Sequence, residues 1–149
     1  MSKEKILVVD DGKVMRLVVS KKLQARGFEV TAVAGGREAL ELLDRDEHFD
    51  LVLLDISMPE IDGMEVLARI RQTQDATRMP VIMATANSED EDVVRAFEMG
   101  ANDFVAKPIN FPVLLARIET QLKLRQATEE LERLARQARS SGADGGGSE

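Results

Sequence analysis

The chain has 149 residues, 44% apolar and 32% charged, which is the balance of an ordinary globular protein of about one domain. It contains no Cys, Trp or Tyr, so disulfide scaffolds and thiolate-held metal or redox centres are excluded. The net charge is −7, and all of the excess lies in residues 1–110, which hold 14 Lys and Arg against 21 Asp and Glu; such a surface repels nucleic acid and anionic membrane and suits cations or basic partner surfaces.

No stretch approaches the ~18 to 20 consecutive apolar residues that span a bilayer, and residues 1–5 lead straight into a strand-like run, not a signal-peptide core. The expectation is a soluble, cytoplasmic protein without membrane contact. Ile6-Leu7-Val8-Val9 reads as the first strand. Val14, Leu17, Val18 and Leu23 follow at helical spacing, with Lys21 breaking the stripe, and Gly27 closes that helix. Phe28–Val33 and Leu51–Leu54 read as the second and third strands, and Val66, Leu67 and Ile70 mark a helix after the third. Val81–Ala84 is the fourth strand. Ser88 and Glu91 form a capping-box signature before Val93, Val94 and Phe97, and Gly100 ends that helix. Asp103–Ala106 is a weaker fifth strand.

From Phe111 to Arg139 the only Gly or Pro is Pro112, in the first turn, where its missing N–H is tolerated. One long helix is predicted, ~40 Å at 1.5 Å per residue. Its first half carries core-like Leu114, Leu115, Ile118 and Leu122. Its second half sets Leu124, Ala127, Leu131, Leu134 and Ala138 at alternating spacings of three and four, with Glu129–Arg133 and Glu132–Arg136 as supporting pairs. That seam is a short coiled coil or signalling helix, and residues 140–149 read as a flexible tail.

Strands alternating with helices predict an α/β doubly wound parallel sheet of five strands, because a parallel pair needs a crossover and right-handed crossovers place helices on both faces. Ligands then collect beyond the carboxyl ends of the strands. Asp10 and Asp11 follow the first strand and Asp55 follows the third, so three carboxylates converge on one rim. Close unneutralised carboxylates repel, and the usual relief is a hard divalent cation; a site that keeps positions open for water and phosphate suits Mg²⁺. Thr85 ends the fourth strand, and Lys107 ends the fifth ahead of Pro108. A hydroxyl, an ammonium and a metal-binding acid set together can surround a phosphoryl group. No Gly-x-x-x-x-Gly-Lys-Ser/Thr or Gly-x-Gly-x-x-Gly loop is present to cradle a nucleotide. His48, the only histidine, lies among acids and reads as a surface residue, not a phosphodonor.

The combination of Asp10-Asp11, the run from Asp55 to Gly63 (Asp-Ile-Ser-Met-Pro-Glu-Ile-Asp-Gly), Thr85-Ala86 and Lys107-Pro108 resembles the receiver domain of bacterial two-component response regulators. The resemblance covers residues 4 to about 123 and implies a flavodoxin-like sheet of order 2-1-3-4-5, with a receiver over 1–123 and a helical extension over 124–139. It implies that Asp55 accepts a phosphoryl group from a histidine kinase or phosphotransfer protein. It further implies Mg²⁺ held by Asp11, Asp55 and the backbone carbonyl of Ser57, with Asp10 acting largely through water. Lys107 would pair with the phosphoryl oxygens, and the Lys107-Pro108 bond would be cis. Thr85 and Phe104 match the family's switch pair, and Ser57 and Asn87 match positions that tune phosphoryl lifetime. Gly12 and Lys13 are a small departure in the loop after the acid pair.

Two alternatives stand beside a self-contained switch. One is a receiver fragment of a larger effector, with a homodimer through the last helix and an output that the sequence does not name. The other is a Mg²⁺-dependent aspartyl phosphohydrolase, which the adjacency of Asp10 and Asp11 disfavours, since that mechanism generally sets its acids as Asp-x-Asp.

Overall fold

A computed structural model describes residues 3–45, 47–86 and 91–146, with side chains as far as Ser141. Five parallel strands, β1 (Lys5–Val9), β2 (Glu29–Val33), β3 (Leu51–Asp55), β4 (Val81–Thr85) and β5 (Asp103–Ala106), form one sheet in the order β2-β1-β3-β4-β5. Between them run α1 (Lys13–Ala25), α2 (Gly36–Asp44), α3 (Gly63–Thr73) and α4 (Glu91–Glu98), and α5 (Phe111–Gly146) follows β5. This is the doubly wound sheet that the alternating pattern predicts, in the flavodoxin-like order that the resemblance implies, with a long last helix. No helix among the described residues is long and apolar enough to cross a membrane.

The two-residue period of a strand divides the core. Leu7, Val9, Val52, Leu54, Val81 and Met83 point to one face, where Ala39 of α2, Val66, Leu67 and Ile70 of α3 and Ala96 of α4 cover them. Ile6, Val8, Leu51, Leu53, Ile82, Ala84 and Val105 point to the other, against Val19 and Leu23 of α1 and Leu114, Ile118 and Leu122 of α5. Both faces of β3 and β4 are therefore buried, which is why their sequences are almost uninterrupted apolar runs. Gly27 and Gly100 end α1 and α4 at φ of 95° and 105°, the left-handed conformation that glycine adopts at least cost.

Two elements differ from the sequence reading. In α1 the helix is present and Leu23 is buried as expected, but Val14, Leu17 and Val18 are 75%, 53% and 43% exposed, and Val19 and Ser20 join Leu23 against the sheet in their place. Arg16 donates to the Asp10 carbonyl at 2.8 Å. Arg16, Val19, Ser20 and Leu23 stand at i, i+3, i+4 and i+7, so the tethered face is the inward one. At the other terminus α5 spans 36 residues, ~54 Å, and continues past Ser140 to Gly146, where a tail was expected. No proline interrupts it, and extending an existing helix needs only one residue fixed per added bond. Ser88 of the expected capping box lies outside the described residues.

A half-buried arginine ties the amino ends of β4 and β5 together. Arg71 donates from Nε to the Gly100 carbonyl at 2.8 Å and from Nη1 to the carbonyls of Gln74 and Met79 at 3.1 and 2.9 Å. Its Nη2 donates to Asn102 Oδ1 at 2.9 Å, and that oxygen also accepts from the Val81 amide. The end of α3, the turn before β4 and the end of α4 thus meet at one guanidinium. Replacing it with methionine removes the donor to the three carbonyls and to Asn102, and Arg71→Met is expected to lower the unfolding free energy in urea by ~3 kcal/mol. An unchanged denaturation midpoint would show that water replaces the network without loss.

Candidate functional site

The carboxyl ends of β1, β3, β4 and β5 lie side by side, with Val9 paired to Leu54, Asp55 to Ala84 and Thr85 to Ala106. Register alone therefore brings residues 10, 55, 85 and 107 to one rim. Asp10, Asp11 and Asp55 each offer a carboxylate oxygen within 4.8 Å of the others. Asp10 and Asp55 are buried, and Asp11 is open to solvent. Lys107 reaches across them, its Nζ 3.1 Å from Asp10 Oδ2 and 2.9 Å from Asp55 Oδ2.

Local backbone amides satisfy the other carboxylate oxygens. Gly12 N donates to Asp10 Oδ1 at 2.8 Å, and Ser57 N to Asp55 Oδ1 at 3.2 Å. Each amide lies two residues beyond its acid, the geometry of an Asx turn, which aims the carboxylate back over the strand end. The Lys107-Pro108 peptide is cis, and the Lys107 amide donates to the Thr85 carbonyl at 2.8 Å, which extends the β4–β5 ladder as far as the lysine. Thr85 is buried at the end of β4.

The loop from Ile56 to Asp62 folds over the rim. Gly63 N donates to the Ile56 carbonyl at 2.7 Å, and a Cβ on Gly63 would lie 2.1 Å from the Asp55 carbonyl oxygen. Glycine is needed here for space and not for an unusual backbone angle: in this loop it is Glu60 that adopts a positive φ, 65°. Asp62 caps α3 by accepting from Glu65 N at 3.0 Å. Behind the rim, Phe104 is half-buried, its ring packed edge-to-face on Phe97 at 6.2 Å with the Arg117 guanidinium 5.6 Å from its centroid.

Charge follows from this packing. Burial is the largest influence on Asp55 and pushes its pKa up from 3.8 to about 6; hydrogen bonding and charge from Lys107 oppose the rise, and the charge of Asp10 and a side-chain hydrogen bond with Asp11 add to it. Burial pulls the Lys107 ammonium down, but its hydrogen bonds and charge pairing with Asp55 and Asp10 outweigh that and hold it above the usual lysine value. Above about pH 6 the Asp55 carboxylate therefore faces the Lys107 ammonium as an ion pair. Oxygen-only donors, one of them open to water, match a hard cation such as Mg²⁺ better than a soft one.

The structure thus gathers Asp10, Asp11, Asp55, Thr85 and Lys107, places Ser57 beside Asp55 through its amide, and sets Phe104 on the adjoining face. Asn87 lies outside the described residues. Sequence reasoning missed Arg16, whose bond to the Asp10 carbonyl fixes the start of α1 beneath the acid pair. An arginine six residues after an acid has no signature of its own, and only the fold brings the two together.

Comparison with known proteins identifies the family and the fold. The family model for the response regulator receiver domain matches residues 6–119, and the chain belongs to that family. The Rhizobium meliloti phosphate regulon transcriptional regulatory protein PhoB is 38% identical over 119 residues, which are 80% of this chain and 52% of that protein. The regulatory protein VanRc of Enterococcus gallinarum is 41% identical over 120 residues, 80% of this chain and 50% of its own length. The chain thus spans about half the length of these relatives. Among solved structures, a CheY-like receiver domain protein from Methanospirillum hungatei superposes with a TM-score of 0.79 at 30% identity, covering 85% of this chain and 99% of that one. The Vibrio cholerae chemotaxis protein CheY4 gives 0.74 at 32% identity, covering 80% and 98%. Residues 6–119 are therefore a receiver domain of two-component signalling.

The raised pKa of Asp55 has a definite sign in stability. Below 3.8 the carboxyl is neutral in folded and unfolded chains alike; as pH rises through about 6, ionisation in the buried site increasingly disfavours the fold. Without divalent cation, Asp55→Asn is expected to raise the unfolding free energy near pH 8 by on the order of 1 kcal/mol, a gain that shrinks on acidification. Urea denaturation at two pH values measures it, and a less stable variant near pH 8 would contradict it.

Proposed function

We propose that the chain is a phosphorylation-controlled switch in which Asp55 accepts a phosphoryl group from the phosphohistidine of a histidine kinase or phosphotransfer protein. The observation that carries this reading is the lysine bridge, with one ammonium within 3.1 Å of two buried carboxylates at the rim where ligands of such sheets bind. A carboxylate oxygen of Asp55 attacks phosphorus, the P–N bond breaks with its electron pair going to the imidazole, and an acyl phosphate remains. Lys107 then exchanges a carboxylate contact for a phosphoryl oxygen and neutralises part of the added charge.

Asp10, Asp11, Asp55 and the Ser57 carbonyl would hold Mg²⁺. Bound there, it supplies charge neutralisation to the phosphoryl oxygens in transfer. The Thr85 hydroxyl turns to the phosphoryl group, and Phe104 follows inward, repacking the face made by α4, β5 and α5. Ser57 and Asn87 set how readily a hydrolytic water reaches the acyl phosphate. The proposed setting is cytoplasmic.

A second reading, that this is the regulatory part of a larger effector, is favoured by the chain spanning only half of its curated relatives. The names of such relatives include transcriptional regulators, so nucleic acid would be reached through an output domain and not through this acidic surface. The seam along α5, with Leu124, Leu131 and Leu134 exposed, fits pairing with a second copy.

Intact mass after incubation with acetyl phosphate and Mg²⁺ tests the chemistry. A gain of ~80 Da is expected, abolished by Asp55→Asn or EDTA and strongly reduced in Lys107→Ala. Persistence of the gain in Asp55→Asn removes the acceptor assignment.

A further inference from the structure

Beyond Leu122, the last leucine that α5 buries in the core, the helix is still held to the body of the domain. Arg125 is only 11% exposed, and its guanidinium ion-pairs with Asp50, itself 14% exposed. Arg125 Nε donates to the Arg78 carbonyl at 2.9 Å, and Nη2 lies 3.4 Å from His48 Nε2. Asp50 in turn accepts from the Lys5 amide at 2.7 Å and lies 3.2 Å from His48 Nε2. One side chain therefore joins α5 to the starts of β1 and β3 and to the turn before β4. That edge is opposite the acid rim, ~16 Å away along a five-residue strand.

Outer contacts reinforce the join: Gln126 donates to Glu4 at 3.2 Å, and Arg78 pairs with Glu132 at 3.5 Å. Both are exposed and add little. The pair of Arg125 with Asp50 differs, because each partner is largely removed from water and hydrogen-bonded again on its far side. Toward the other end of α5, Arg117 pairs with Asp103 at 3.1 Å and sits over the Phe104 ring. The same helix is thus fastened at two points ~12 Å apart.

We infer that Asp50, His48 and Arg125 form a clasp that fixes the helical extension to the amino edge of the sheet and makes α5 one rigid strut, carrying a change at the Phe104 face to the extension as a rigid-body displacement. The clasp stands on these contacts alone; the displacement rests on the switch reading given above. At about 100° per residue, Leu131 lies roughly 120° around the helix from Arg125, so the clasp leaves the apolar seam uncovered.

Arg125→Met keeps the stem and removes the donors, and Asp50→Asn removes the charge from the other side. In both variants backbone amides of residues 124–139 are expected to exchange hydrogen at least tenfold faster than in the parent chain, while acetyl phosphate still adds its mass. Unchanged exchange in both overturns the clasp. The chain has no cysteine, so spin labels at Glu41→Cys and Gln137→Cys report one distance. That distance is expected to be narrowly distributed in the parent and broad with Arg125→Met, and to shift on phosphorylation only where the clasp is intact. A mass gain without a shift overturns the strut. Absence of any mass gain removes the switch reading, and the displacement with it, while the exchange rates still decide the clasp.

Discussion

Repulsion among Asp10, Asp11 and Asp55, held in check by the single ammonium of Lys107, is the interaction around which the rest of the structure is arranged. Carboxylates this close gather only where something else enforces it. Here the enforcement is a sheet with both faces covered, whose parallel register puts the ends of β1, β3 and β5 at one level. Hydrophobic burial over the whole sheet outweighs a local electrostatic cost at its edge. Because that cost is set by burial, it shows as an aspartate that holds its proton to about pH 6. Anything that brings positive charge to the rim relieves the same cost, which is how binding and stability become linked.

Much of this was legible in the sequence, for identifiable reasons. Strands buried on both faces leave apolar runs with few alternatives, and Ile6–Val9, Leu51–Leu54 and Val81–Ala84 were found to within a residue of β1, β3 and β4. Left-handed glycines and acids just past strand ends have local causes, so Gly27, Gly100, Asp10 and Asp55 could be placed without a structure. The Lys107-Pro108 cis bond came from family resemblance and not from any local rule, since cis is uncommon even before proline.

What escaped the sequence depends on pairs of residues that only the fold brings together. The inward face of α1 follows Arg16 and its bond to Asp10, and hydrophobic spacing pointed to Val14, Leu17 and Val18 instead. Gly63 is required by the nearness of the Asp55 carbonyl, a contact that only the packing of the start of α3 on the end of β3 creates. His48 was placed on the surface and is exposed, but its neighbours Asp50 and Arg125 lie 75 residues apart in sequence. No window of local pattern spans that separation.

The guanidinium of Arg71, bonded to the carbonyls of Gly100, Gln74 and Met79, gives the two ends of the sheet different chemical character. At the acid end, cohesion depends on charges that protons, cations and phosphoryl groups alter. At the Arg71 junction it depends on a cation that does not titrate in the physiological range and on neutral oxygens that neither bind nor release protons. Magnesium and phosphoryl groups therefore act at the acid rim and not at the Arg71 junction. That junction serves as a chemically deaf reference point, against which movement at the responsive rim becomes relative displacement and not a loosening of the whole domain.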